Sequence, residues 1–262
     1  MSVVTRADRD LCSARPREVD HTRTAALHYL GHYVRRLPVS MERMIENALD
    51  WEHLSHVHAS SFASIERVEA GSWGWRAVTT GSGGEGRQVL ELLVDLERHY
   101  WATAVLSGPA AEVEIHTQAS AFAEHEIEVD VRFYSATALD EATAALYLDV
   151  LQQQYALLYD EDEALMTGRQ AALDERRRWS EHSGSTGELL VGERAALLRQ
   201  GGAVVTGQRG RYCVRRYRDD WVVYSAVCPH LLGPLDDAVL ADDGSVRCPW
   251  HGYRFDVASG DN

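Results

Sequence analysis

The sequence is short of cysteine, of continuous apolar stretches and of net positive charge. Only Cys12, Cys213, Cys228 and Cys248 stand among its 262 residues. Four are too sparse for the disulfide framework of a small secreted scaffold. No stretch approaches the roughly 20 consecutive apolar residues that span a bilayer. Residues 1–30 carry Arg6, Asp8, Arg9, Asp10, Arg15 and Arg17, with no apolar run of signal-peptide length. The expectation is a cytoplasmic protein with reduced thiols and no membrane partner. A net charge of −14 repels a phosphate backbone, which argues against nucleic acid as a partner. No internal repeat is visible. What is present is ordinary for a soluble globular chain: 45% hydrophobic and 25% charged residues, at a length that suits one large or two modest domains.

Hydropathy patterning divides the chain. Residues 1–27 are polar and mixed and read as a loose leader. Residues 39–52 place Met41, Met44, Ile45 and Leu49 at helical spacing. Strand-like runs follow at 88–95 and 111–116. The clearest is 125–133, where Ile127, Val129, Val131 and Phe133 alternate with charges as on a half-buried antiparallel strand. Residues 140–177 hold Gly168 as their only glycine and have no proline. Ala144, Leu146, Leu148, Leu151, Tyr155 and Leu158 give them helical character, as one long helix or two joined ones. Residues 180–187 have linker composition. Beyond them, turns at 207–210, 218–220 and 242–244 punctuate a small all-β domain. The expected fold is α+β: residues 28–179 form an antiparallel sheet with a long C-terminal helix, and residues 188–262 form the small β domain.

That second domain contains CPHLLG at 228–233 and CPWHG at 248–252. The spacing is Cys-x-His, seventeen residues, then Cys-x-x-His. Each loop offers one thiolate, Cys228 or Cys248, and one imidazole, His230 or His251. A [2Fe–2S] centre with two Cys on one iron and two His on the other needs that set. Zinc takes thiolate and imidazole too, but it usually pairs Cys with Cys in a short knuckle. Gly233 and Gly252 let backbone pass close to the cluster. These residues resemble the Rieske domain of ring-hydroxylating oxygenases and their ferredoxins, over about residues 188–260. In that family further strands follow the second loop, whereas this sequence ends at YRFDVASGDN. The expectation is a truncated, incomplete cluster fold, or an open sheet edge covered by something else.

Residues 46–58 read ENALDWEHLSHVH. Asn47, Asp50 and His53 step by three and are expected on one helical face. His58 follows His53 by five, so a helix must end or distort between them. Spacing alone leaves His56 and His58 as equal competitors. The run resembles the catalytic domain of Rieske non-haem iron oxygenases, with its Asn-x-x-Asp-x-x-His-x-x-x-x-His motif, and Asn47, Asp50, His53 and His58 match it position by position. The resemblance extends over about residues 28–177. It implies a third ligand at Asp162, within DEDEALMTGRQ, with Asp160, Glu161 and Glu163 as fallbacks. Two His and one carboxylate make the facial triad of non-haem Fe(II) oxygenases. The resemblance further implies a helix-grip fold and Asp50 as a bridge between a cluster histidine and an iron-ligand histidine. It implies a reductase or ferredoxin as electron donor, O2 and a small organic substrate, and it leaves homo-oligomerisation open. The family places its Rieske domain first; here the order is reversed, so a Rieske ferredoxin-like protein fused to an iron-free ligand-binding domain is the competing reading.

Other features point elsewhere. GSGGEG at 81–86 satisfies a dinucleotide pattern, but a strand-like run follows it, so it reads as a hairpin loop. Trp73, Trp75, Tyr100 and Trp101 read as core or pocket wall. Cys12 and Cys213 have no partner motif, and His99, His116 and His125 are expected on strands as core or surface groups.

Overall fold

The apolar–polar alternation between residues 28 and 135 folds into one antiparallel sheet. In the computed structural model, which describes residues 3–83, 86–181 and 188–262, its strands are β1 (His28–Leu37), β2 (Phe62–Gly71), β3 (Gly74–Gly81), β4 (Arg87–Asp95), β5 (Tyr100–Ser107), β6 (Val113–Ala123) and β7 (Glu126–Ser135). The order is β1-β7-β6-β5-β4-β3-β2, a meander closed by β1 returning to β7. Ile127, Val129, Val131 and Phe133 of β7 are each fully buried, on the face the alternation assigned to the core. β4 has no alternation because both of its faces are covered. Leu90 and Leu92 line an internal cavity, while Val89 packs with Val4, Cys12 and Val78 on the opposite face. β3 and β4 pair antiparallel with Thr80 opposite Arg87, so the glycine-rich stretch between them is a hairpin connection, of which residues 84 and 85 lie outside the described residues. His99 and His125 stand in turns beside β5 and β7, not on strands, and His116 alone of the three lies within one, on β6. Trp73 likewise occupies the β2–β3 turn.

The leader is not loose. Thr5 caps α1 (Arg6–Ser13) in a reciprocal capping box with Asp8. The helix lies on the sheet with Cys12 only 1% exposed. Arg76 explains why: its guanidinium, fully buried on β3, donates to Glu91 (2.6 Å) and to the carbonyl of Cys12 (3.0 Å), and also bonds Glu69 and the Pro16 carbonyl. A buried cation must find such partners, and two of them are backbone of the N-terminal segment.

Between β1 and β2 run α2 (Met41–Leu49), capped by Ser40, and the single-turn α3 (Leu54–Val57). The other face of the sheet meets α4 (Glu141–Glu181), one continuous helix. Tyr155 packs edge-on to Phe133 with ring centres 5.3 Å apart, and Tyr159 stacks on Tyr33 at 6.3 Å. Leu148 comes so close to β1 that a Cβ on Gly31 would lie 2.6 Å from its Cδ2. Leu146, one of the residues that gave this stretch its helical spacing, points outward and is 62% exposed.

The chain divides into two compact units at Met166/Thr167, within α4, instead of in the linker-like stretch 180–187, of which residues 182–187 lie outside the described residues. The second unit contains the expected small β domain, with a short helix, α5 (Arg194–Gln200), ahead of its strands. These are β8 (Gly202–Gly207), β9 (Gly210–Tyr217) and β10 (Asp220–Ser225) in one sheet, and β11 (Ser245–Arg247) with β12 (Arg254–Asp256) in another. Cys228, Leu235, Val246 and Cys248 form its buried centre. Among the described residues, no helix is long and apolar enough to cross a membrane.

Candidate functional site

The second unit presents two loops of the same build. In the first, the Cys228 N–H donates to the Gly233 carbonyl (2.8 Å) and the Leu232 N–H donates back to the Cys228 carbonyl (3.0 Å). In the second, the Cys248 N–H donates to the Tyr253 carbonyl (2.8 Å) and the Gly252 N–H to the Cys248 carbonyl (2.9 Å). Each loop therefore closes on its own cysteine, and each carries a left-handed residue at its fifth position, Leu232 (φ 62°) and Gly252 (φ 69°). Gly252 adopts that conformation freely; Leu232 is strained in it.

The loops bring all four predicted ligands together. Cys228 and Cys248 are buried and unlinked, and the His230 and His251 rings lie 4.7 Å apart, edge to face. A hydrogen bond from Cys228 holds Cys248 well below the usual thiol range, with a further contribution from His251. The thiolate is the form that binds metal. A Cβ at Gly233 would lie 2.7 Å from Cys248 Sγ, so glycine is required for the loops to approach. Paired thiols and imidazoles on rigid loops fit a [2Fe–2S] cluster with mixed ligation.

The first unit carries a second convergence. α2 ends at Leu49, and Asp50 leaves helical geometry (φ −84°, ψ 86°), so Asn47, Asp50 and His53 do not share a helical face as their spacing suggested. Instead His53 and His58 flank α3, one on each side of its single turn. Both rings then point the same way, with Nε2 atoms 3.2 Å apart. From α4, Asp162 shares an inward face with Tyr155, Tyr159 and Met166. Its Oδ1 lies 3.4 Å from His53 Nε2 and 3.0 Å from His58 Nε2. All three residues are buried. Ligand bonds of roughly 2.1 Å meeting at about 90–110° give edges of ~3.0–3.4 Å, so the triangle has the dimensions of a metal-binding face. His56, the competitor, is only half-buried and outside this cluster.

The fallback carboxylates are held elsewhere. Arg35 donates to Asp160 (2.6 Å) and Glu163 (2.7 Å), and Glu161 accepts from His58 Nδ1 (2.7 Å). That last contact was missed in the sequence, where Glu161 is one acid in a run of four. Asp50 faces His53 Nδ1 at 3.6 Å. Burial opposes charge on His53, but Asp162 and Asp50 outweigh it and push its pKa up to about 10. Burial likewise opposes charge on Asp162, yet His53 and His58 hold it far below the carboxylate range. Asn47 Oδ1, buried in the same wall, has no hydrogen-bond partner. In a neutral His58 whose Nδ1–H bonds Glu161, Nε2 offers a lone pair. Lone pairs so crowded need a cation or a proton among them, and the donor set fits a divalent metal. The cluster opens onto a cavity of about 130 Å3 walled by Phe62, Trp75, Leu90, Leu92, Trp101 and Tyr155.

Several solved structures resemble the N-terminal unit. The Zhui aromatase/cyclase from Streptomyces sp. R1128 is 11% identical with a TM-score of 0.45, over 55% of this chain and 95% of that one. The protein TTHA0849 from Thermus thermophilus is 19% identical with a TM-score of 0.44, over 52% and 95%. A START superfamily protein from Mycobacterium smegmatis is 12% identical with a TM-score of 0.43, over 52% and 97%. Likenesses this distant carry no chemistry across. No curated protein matches the sequence significantly. Residues 185–262 match the Rieske [2Fe-2S] domain family, the span that contains both Cys–His loops. This part of the chain is a Rieske domain, which supports iron–sulfur electron transfer, and Cys228, His230, Cys248 and His251 are the residues within it that could hold the cluster.

Proposed function

We propose that this protein is a Rieske-type oxygenase. The observation that carries the reading is the convergence of His53, His58 and Asp162, from two parts of the chain more than a hundred residues apart, on one buried point beside an apolar cavity. When bound, the [2Fe–2S] cluster supplies single electrons, and Fe(II) at the triad supplies open positions for O2 chemistry.

The chain's own residues do the rest. His53, His58 and Asp162 are the residues that would hold the metal. Glu161 stands behind the His58 imidazole within hydrogen-bond reach of Nδ1, so that Nε2 faces inward, and Asp50 places a negative charge 3.6 Å behind His53 Nδ1. Phe62, Trp75, Leu90, Leu92 and Trp101 exclude water and hold a small uncharged organic substrate against that face. The Trp75 indole N–H is taken by the Ala48 carbonyl at 2.9 Å, so this wall presents ring surface to the cavity. A separate reductase or ferredoxin delivers the electrons.

A second reading has one observation in its favour. His53 and Asp162 form a buried ion pair that is complete with a proton in place of a metal. The N-terminal unit would then bind a ligand without iron, and the whole would be an electron carrier. Iron and acid-labile sulfide per chain, measured in anaerobically purified protein, separate the two. About three irons with two sulfides support the oxygenase, and about two irons with two sulfides support the carrier. Asp162→Ala then removes one iron and leaves the cluster's electron paramagnetic resonance spectrum unchanged.

A further inference from the structure

We propose that Glu161 is a positioning residue for the N-terminal metal site: its carboxylate fixes His58 as the Nδ1–H tautomer and so turns Nε2 to the metal. The inference rests on the reading of His53, His58 and Asp162 as ligands.

Neighbouring positions on a helix diverge by about 100°. On α4 that divergence sends the side chains of Glu161 and Asp162 around opposite sides of one imidazole. Asp162 Oδ1 reaches His58 Nε2 at 3.0 Å, while Glu161 Oε2 accepts from Nδ1 at 2.7 Å. A carboxylate only accepts, so Nδ1 must carry the proton, and the neutral imidazole that binds a metal then presents its lone pair at Nε2. His58 ends α3 at φ −98°, ψ 39°, outside both helical and strand geometry. His58 is 3% exposed, so water cannot take the carboxylate's place. Of the four acids from Asp160 to Glu163, Arg35 occupies the first and the last. The two between them divide the work: one points at the ligand atoms, the other behind them. Asp50 stands behind His53 in the same manner but at 3.6 Å, so His58 is the more tightly held ring. Partners of this kind change metal affinity by roughly 10–100-fold when removed.

The test uses the full-length protein with its cluster kept oxidised and the N-terminal site free of metal. Co(II) affinity is measured by equilibrium dialysis for the wild type, Glu161→Ala, Glu161→Gln, Asp160→Ala and Asp162→Ala, with circular dichroism to confirm folding. The His58 tautomer is read from 15N chemical shifts of the metal-free protein. Glu161→Ala should bind Co(II) roughly 10–100-fold more weakly and lose the single Nδ1–H tautomer. Glu161→Gln, whose amide oxygen still accepts, should keep the tautomer and fall between Ala and wild type. Asp160→Ala should match wild type, and Asp162→Ala should lose the site. Wild-type affinity and tautomer in Glu161→Ala would overturn the proposal while leaving the metal site standing. A loss as complete as that of Asp162→Ala, with the tautomer unchanged, would make Glu161 a ligand and overturn it as well. No Co(II) binding by the wild type would remove the metal-site reading and this proposal together.

Discussion

Gly233 offers the sharpest test of how the Rieske loops work. A methyl group there would sit 2.7 Å from Cys248 Sγ and 3.0 Å from Trp250 Cδ2. Non-bonded carbon contacts are comfortable near ~3.5–4.0 Å, so the sulfur or the loop must yield by about 1 Å. Metal–ligand distances tolerate only roughly ±0.2 Å. The loop cannot yield cheaply, because the Gly233 carbonyl accepts from the Cys228 N–H at 2.8 Å, and moving it shifts a second ligand. The displaced atom is therefore the Cys248 thiolate or the indole packed beside it. Overpacking alone costs about 1–3 kcal/mol, which a domain survives; loss of ligand geometry is what the cluster does not survive. Gly233→Ala should therefore fold while losing most of its acid-labile sulfide and visible absorption. Val239→Ala, at an 83% exposed position in the same unit, serves as the control and should keep both. A Gly233→Ala protein with full sulfide and a wild-type spectrum would refute the argument that this glycine is a spacing requirement.

Three further outcomes are expected. Because Asp162 and Asp50 hold a proton on His53 up to about pH 10, metal must displace that proton at lower pH. Co(II) affinity of the N-terminal site should then rise about tenfold per pH unit between pH 6 and 8, and a flat profile by dialysis would contradict these ion pairs. Burial disfavours charge on Glu114, but His116 and Arg23 outweigh it and depress its pKa from 4.5 to about 2. A depressed carboxylate stabilises the fold above its unfolded value and loses that contribution as pH falls from about 4.5 toward 2, here roughly 3 kcal/mol. Glu114→Gln should be less stable at neutral pH and should flatten the acid side of the thermal-melting profile; parallel profiles for the two proteins would count against it. Arg76→Met leaves Glu91, 3% exposed, without the Arg76 guanidinium, though Arg15 still reaches it, and frees the Cys12 and Pro16 carbonyls. Breaking a buried pair costs about 3–5 kcal/mol, so limited proteolysis should cut this variant within residues 1–27 well before the wild type; equal resistance would show that Arg76 does not hold the leader.

What the sequence determined by itself was local chemistry. The Cys–His loops are legible because each is closed by its own backbone, so Cys228, His230, Cys248 and His251 announce themselves within a few residues of spacing. The core face of β7 is legible because one side of the sheet faces the interior and period-two alternation follows from the pleat. The break between His53 and His58 was legible as a necessity, although not its form. Only tertiary structure decided the rest. Four consecutive acids look alike in sequence. They acquire different roles only because Arg35 on β1 takes Asp160 and Glu163, His58 takes Glu161, and Asp162 is left facing the imidazoles. The leader looked unstructured because its anchor is an arginine on β3, sixty residues on, whose burial requires the Cys12 and Pro16 carbonyls. Spacing placed Asn47, Asp50 and His53 on one helix, but Asp50 turns the chain out of α2, so that His53 and His58 close on Asp162 from the two sides of a single helical turn. Side-chain partners sixty to more than a hundred residues away set these outcomes, and no local pattern encodes which of several like groups finds which partner.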